Sequence, residues 1–230
     1  MNFENSRYFR IYFSDYLFIS INDTLVSTWA IGAALIVLAV IVRLKIKNFK
    51  EIPETKFQNI MEAIVEIFNN HVTGIMTKKY SQFGSWFFGV FMFLLLSNII
   101  GITGLRNPTA DLAVPFALAL TTVFLMQYIG IKYNGVQHFK DWLSPIFLFA
   151  PLNILSDLVK SVSLSMRLFI NILSGLILMH IIYYMLPWFA SIGPPGLFSL
   201  FFDVAIGALQ AYLFVTLSMF FLMMKVPKED

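Results

Sequence analysis

Apolar residues run in long stretches along this chain, and short clusters of charge separate them. The first stretch, 28–42, has few polar positions and ends at Arg43, Lys45, Lys47 and Lys50, which predicts a membrane helix with a basic, cytoplasmic end. From 54 to 79 the pattern changes. Phe57, Ile60, Met61, Ile64, Val65, Ile67 and Phe68 recur at helical spacing, while Glu54, Lys56, Glu62, Glu66 and Asn69 interrupt them. That alternation predicts an amphipathic helix lying on the cytoplasmic membrane surface. Apolar runs at 86–104 and 112–131 predict two further spans, joined by a turn containing Asn107 and Pro108 and returning to Lys132 and Lys140.

The remainder is longer than a simple span. Pro151 to Pro187 holds no interior proline and a single glycine, Gly175, so it can form one helix of about 54 Å at roughly 1.5 Å per residue. A bilayer core is only about 30 Å thick. The helix predicted over 144–186 must therefore tilt strongly or break into two spans. Charge favours the tilt: a last helix, 196–225, leads to Lys225 and Lys228, and a single crossing by the long helix puts these lysines in the cytoplasm. The expected fold is an all-α integral membrane protein, one membrane domain over 1–230 with five transmembrane crossings and one amphipathic surface helix. Its N-terminus is outside, its C-terminus is cytoplasmic, and its last two helices form a long tilted hairpin through Leu186 to Gly196.

Composition agrees and narrows the function. Of 230 residues, 58% are hydrophobic and 13% charged, with a mean hydropathy of +0.76, which leaves no length for a separate soluble enzyme. Sixteen basic against thirteen acidic residues give +3, scattered in short clusters, and this argues against nucleic-acid binding. With no cysteine there is no disulfide, thiolate nucleophile or Cys-ligated metal. His71, His138 and His180 are not at ligand spacing, so neither a metal nor a cofactor is expected. The N-terminal stretch lacks the order of basic region, apolar core and small-residue site, so no cleaved signal is expected. Trp29, Trp86, Trp142 and Trp188 all fall near span ends, as interfacial anchors do.

The chemistry lies in a few polar residues that a lipid-facing helix has no use for. Asn153, Ser156, Lys160, Ser163, Arg167, Asn171 and Ser174 recur every three or four residues and share an arc of about 80° on the long helix, with Leu155, Val162, Met166, Leu173 and Ile177 opposite. Ser156, Ser161, Ser163 and Ser165 are expected to bond to their own backbone. Arg167 needs more. It costs at least about 2.5–3.5 kcal/mol at membrane depth and cannot deprotonate. Its neighbours Ser163, Leu164, Ile170 and Asn171 are not acidic. The counter-charge is then Asp157, which can instead pair with Lys160, or Asp203, or a carboxylate on another subunit. On the last helix Asp203, Gly207 and Gln210 share one face, where the glycine permits close helix approach and the glutamine can bond across the interface. A buried Asp203 is also suited to carry an exchangeable proton.

The strings Ser163 to Gly175 (SLSMRLFINILSG) and Ala208 to Phe214 (ALQAYLF), together with Asn107 to Asp111 (NPTAD) and Pro151 to Lys160 (PLNILSDLVK), resemble subunit a of the F-type ATP synthase. That family is the membrane stator facing the rotor ring of c subunits, and its last two helices form a highly tilted hairpin against the ring. By this resemblance Arg167 matches the essential arginine facing the ring's ion-carrying carboxylates, and Asn171 and Gln210 match the polar residues beside it. Asp203 matches a position lining the outer half-channel. Asp111 matches an acidic residue near the outer mouth, although alone it reads equally as the N-cap of the helix beginning at Leu112. Asp157 matches the acidic position of the cytoplasmic half-channel, with Lys160 next to it on the stripe. One departure stands out: Leu176 follows Gly175 where many members carry glutamate or histidine.

The resemblance implies a non-catalytic subunit in which H⁺, or alternatively Na⁺, passes through two offset half-channels and turns the ring to drive ATP synthesis. Implied partners are the c-ring, the peripheral-stalk b subunits, the rest of the F1Fo complex and the lipid bilayer. The implied location is a bacterial cell membrane, with an organellar inner membrane as the alternative. A secondary transporter would show internal repeats and Gly/Pro-broken spans in matching halves, and this chain shows neither. A purely structural subunit would tolerate neutral replacement of Arg167.

Overall fold

A computed structural model describes residues 9–14, 17–21, 23–47, 49, 55–103, 107–135, 137, 140, 150–185 and 201–226. The membrane body is helical: α1 (Asp23–Ile46), α2 (Lys56–Ile75), α3 (Gly84–Ile99), α4 (Ala113–Asn134), α5 (Ala150–Met185) and α6 (Gly207–Met223). Five of the described helices are long and apolar enough to cross a membrane, and α2 is the one that is not. A short antiparallel hairpin, β1 (Phe9–Ser14) with β2 (Leu17–Ile21), precedes them; the sequence reading did not anticipate it. The turn expected through Leu186 to Gly196, residues 144–149 of the long helix, and Trp142, Trp188, His138 and Lys228 lie outside the described residues.

Local chemistry accounts for the helix ends. α1 begins five residues earlier than the apolar run, where the Thr28 hydroxyl donates to the Thr24 carbonyl at 2.7 Å, and it carries Arg43 and Lys45 in its last turn, where cations favour the helix dipole. α2 opens on Thr55, whose side chain accepts from the Gln58 N–H at 3.3 Å, while Gln58 Nε2 donates to Glu62 at 2.7 Å. It ends at Met76, which takes an extended conformation. α5 runs unbroken through 36 residues, since no proline interrupts it after its second position. Just before α6, residues Phe201–Ile206 widen into a π-helical turn.

The core is where α2 to α6 converge: Met76 from the end of α2, Phe87 and Leu94 from α3, Met126 from α4, Leu168 from α5 and Phe214 from α6. Among the described residues α5 packs chiefly on α4, and α6 chiefly on α3. α1 buries little beyond Thr24, Ser27 and Ile31, and exposes Val37, Ile41 and Leu44 as a lipid-facing helix does.

α2 is amphipathic and docks by its C-terminal half. Phe68 stacks edge-on against Phe88 with ring centroids 5.0 Å apart, and Val72 fits against Gly84, where a Cβ would come within 3.0 Å of it. Ile60, Ile64 and Ile67 remain exposed, as do Glu62 and Glu66 around the helix. The docked end is fastened by His71, whose Nε2 lies 3.0 Å from the Thr216 hydroxyl of α6 and whose ring lies 4.8 Å from that of Tyr212. Burial pushes the His71 pKa below 6.5. The unfolded chain then takes up its proton first, so stability is whole above about pH 6.5 and is lost as pH falls below it. Thermal melts of detergent-solubilised protein should show wild type losing more stability between pH 7.5 and 5.5 than His71→Gln; parallel losses would dismiss this contribution.

Candidate functional site

Three faces of α5 are distinct. Asp157, Ser161, Leu164, Ser165, Leu168 and Gly175 are buried on the side that meets the bundle. A quarter-turn away, Ser156, Ser163, Arg167 and Ser174 are exposed, and Asn153, Lys160 and Asn171 are half-buried beside them. The third face, with Leu155, Val162, Met166, Leu173 and Ile177, is exposed and apolar. The polar stripe therefore looks out of this chain, not into its core. Expected serine-to-backbone bonds form at Ser165, to Val162, and also at Ser174, to Asn171, each at 3.0 Å. Ser161 departs from that expectation: its hydroxyl is buried with no partner among the described residues.

Arg167 sits in the middle of this stripe, and among the described residues it has no ion pair and no hydrogen bond. The Asp157 alternative is closed, because that carboxylate is engaged with Lys160 at 3.1 Å and Lys225 at 2.7 Å. Arg167 is thus an exposed guanidinium midway along an apolar helix, with no carboxylate beside it among the described residues.

One helical turn beyond Arg167, Asn171 lines a small cavity of about 20 Å³ where α3, α5 and α6 meet. Asn98, Asn107 and Gln210 place amide groups on its wall, and Ile172, Gly175, Ile206 and Gly207 complete it. Gln210 and Asn171, paired by the sequence reading, are thus brought together. Asn98 and Asn107 were missed as site residues. Asn98 is 2% exposed within an apolar span, and that position was the available signal. Its Nδ2 donates to the Gly207 carbonyl at 2.9 Å, and its Oδ1 accepts from the Thr109 hydroxyl at 3.1 Å. Thr109 also bonds to Asn107 Oδ1, by hydroxyl at 2.6 Å and by N–H at 3.0 Å. The backbone of Asp203 lies in the π-helical turn one turn before Gly207, while its side chain is outside the described part of the structure.

Asp111 stands one residue before Leu112, the N-cap of α4. Its side chain accepts from the Ala113 N–H at 3.3 Å at the start of α4, and it does not line the cavity. His180 Nδ1 lies 2.9 Å from the Leu176 carbonyl oxygen of its own helix. Among the described residues no group of three or more His, Asp or Glu could hold a metal ion.

A model of the family described as "ATP synthase A chain" matches residues 25–223 of this sequence. The chain belongs to that family. It is 35% identical over 188 residues to "ATP synthase subunit a" of Limosilactobacillus fermentum, covering 75% of this chain and 80% of that one. With "ATP synthase subunit a" of Sulfurihydrogenibium it shares 33% over 189 residues, 80% and 88% of the two chains. With "ATP synthase subunit a 2" of Picosynechococcus it shares 29% over 214 residues, 92% and 89%. Subunit a is the non-catalytic membrane subunit of the Fo sector and takes part in ion translocation.

In this ATP synthase A chain the wall of the cavity depends on close packing of α6 on α3. A Cβ at Gly207 would stand 2.7 Å from Asn98 Cβ and 3.1 Å from its Cγ, so one helix must shift. Gly207→Ala should cost about 1–3 kcal/mol as an overpacking change and lower the thermal midpoint of the solubilised protein. An unchanged midpoint would show that the contact is loose.

Proposed function

We propose that this chain is the ion-translocating stator of an F-type ATP synthase, in which α5 and α6 form the tilted pair that faces the rotor ring of c subunits. The observation that carries the reading is Arg167, exposed on a polar stripe in the middle of an apolar helix and lacking an acidic partner among the described residues. The ring's ion-carrying carboxylates supply that partner. At about 4 Å and an effective dielectric of 20, opposite unit charges attract by roughly 4 kcal/mol. A rotor carboxylate arriving at Arg167 is thereby driven to release its H⁺, or Na⁺ in the alternative. The same fixed cation repels a free cation from crossing directly between the two half-channels, so ions travel around with the ring.

Orientation follows from charge. Arg43, Lys45 and Lys47 near the end of α1 and Lys225 after α6 are cytoplasmic, with the N-terminus outside. The cavity walled by Asn98, Asn171 and Gln210 then lies on the outer side of Arg167 and belongs to the outer half-channel, with Asp203 and, near the mouth, Asp111. Its amide groups suit ordered water in place of the acidic or imidazole side chain that Leu176 lacks. Lys160 stands on the same stripe, two turns to the cytoplasmic side. Each unit charge crossing 100 mV releases roughly 2.3 kcal/mol, so several ions per ATP are geared through the ring. The proposed setting is the F1Fo complex with peripheral-stalk b subunits, in a bacterial cell membrane; the bacterial relatives support it.

The test is ATP-driven pumping and ion-driven ATP synthesis in vesicles containing the complex, wild type against Arg167→Gln, with assembly monitored. An assembled complex that has lost both coupled activities by orders of magnitude is the expected result. Persistence of both would make the arginine structural and remove the mechanism.

A further inference from the structure

Away from the cavity, α4, α5 and the turn that follows α6 converge on one carboxylate. Asp157 is 3% exposed, and both of its oxygens are engaged. Lys160 Nζ lies 3.1 Å from Oδ1, while Oδ2 takes Lys225 Nζ at 2.7 Å and Gln127 Nε2 at 3.1 Å. Lys225 is held a second time, because its backbone carbonyl accepts from Asn134 Nδ2 at 2.9 Å, and Val226 beside it is buried.

We infer that Asp157 is a fixed anion that sets the register of α6 against α5, and not an exchangeable ion carrier on the cytoplasmic path. The inference rests on the stator reading above and refines it. Ten residues separate Asp157 from Arg167, which turns it about 80° around the helix from the arginine, onto the buried face. The charged group that the stripe presents near that depth is Lys160. A carrier must also be able to lose its charge, and a neutral Asp157 would leave two partly buried ammonium groups uncompensated.

Register is the property that the contact controls. α5 and α6 are antiparallel in the proposed fold, and fourteen residues separate Asp157 from Asn171 while fifteen separate Gln210 from Lys225. At about 1.5 Å per residue these are roughly 21 and 22 Å of helix. The ion contact at one end therefore matches the meeting of Asn171 and Gln210 at the cavity. A slip of one residue would rotate the Gln210 side chain by about 100° and carry it out of the cavity wall.

The experiment is a double-mutant cycle in the whole complex, scored by the content of this chain in purified complex and by pumping per assembled complex. Asp157→Asn leaves Lys160 and Lys225 facing a neutral group, and incorporation should fall several-fold. Adding Lys225→Gln returns the cluster to its original net charge with no carboxylate at position 157. Incorporation and pumping should then both recover to near wild type. A double variant that assembles but does not pump would make Asp157 a carrier and overturn the inference. So would a double variant no better incorporated than Asp157→Asn, since the losses would then not be coupled. Arg167→Gln run in parallel keeps the two readings apart: if it pumps normally the stator reading fails, whatever the Asp157 variants do.

Discussion

An arginine in a membrane with no counter-charge among the described residues is the constraint around which the rest of this molecule is arranged. Arg167 cannot deprotonate, and lipid offers it nothing. Its helix answers by exposing Ser156, Ser163 and Ser174 beside it and setting Asn171, half-buried, one turn away at the cavity. A stripe placed on the inner face would have needed an internal carboxylate, and the nearest one, Asp157, is fully committed to two lysines. Among the described residues the geometry thus leaves Arg167 without an acidic partner while neutralising the acid closest to it in sequence. In the proposed mechanism this arginine is what meets the rotor.

Two different kinds of contact hold the long helices in place around it. At the Lys225 end, ion pairs and amide bonds join α4, α5 and α6. At the other end, close backbone approach does the work: Gly207 lets α6 lie against Asn98, and the asparagine side chain closes the gap by bonding to the Gly207 carbonyl. Between apolar helices in lipid there is little hydrophobic drive to association, so such small-residue and polar contacts carry more of the specificity than they would in a soluble bundle. The π-helical turn at Phe201–Ile206 lies immediately before this contact, where a widened turn alters the phase of the residues ahead of it relative to Gln210.

Much of this was legible along the chain, for physical reasons that can be stated. Five long apolar runs separated by charge clusters read as five helices, because a continuous apolar run of about 20 residues in a bilayer satisfies its own backbone as a helix. The absence of interior proline made α5 continuous, and the 3.6-residue period placed Arg167, Asn171 and Lys160 on one stripe without any coordinates. Gln210 and Gly207 were marked in the same way, by being polar or small on an apolar helix. Asn98 was equally polar, and Asn107 lay within the Asn107–Asp111 string, yet no periodicity joined either of them to Asn171 and Gln210.

Period and composition therefore suffice wherever the information is local to one helix: its existence, its length and the identity of its polar face. They are silent on which face meets which neighbour. Spacing offered Asp157 two partners, Arg167 and Lys160, and the resemblance added a place in the cytoplasmic half-channel; Lys225, sixty-eight residues later in the chain, and Gln127 from α4 could not be foreseen as its neighbours. The cavity likewise exists because residues from α3, α5 and α6 meet there, and no single helix encodes it. Helical phase is a property of neighbours in sequence, whereas partner choice depends on how whole helices pack, and packing is decided by contacts between residues far apart in the chain.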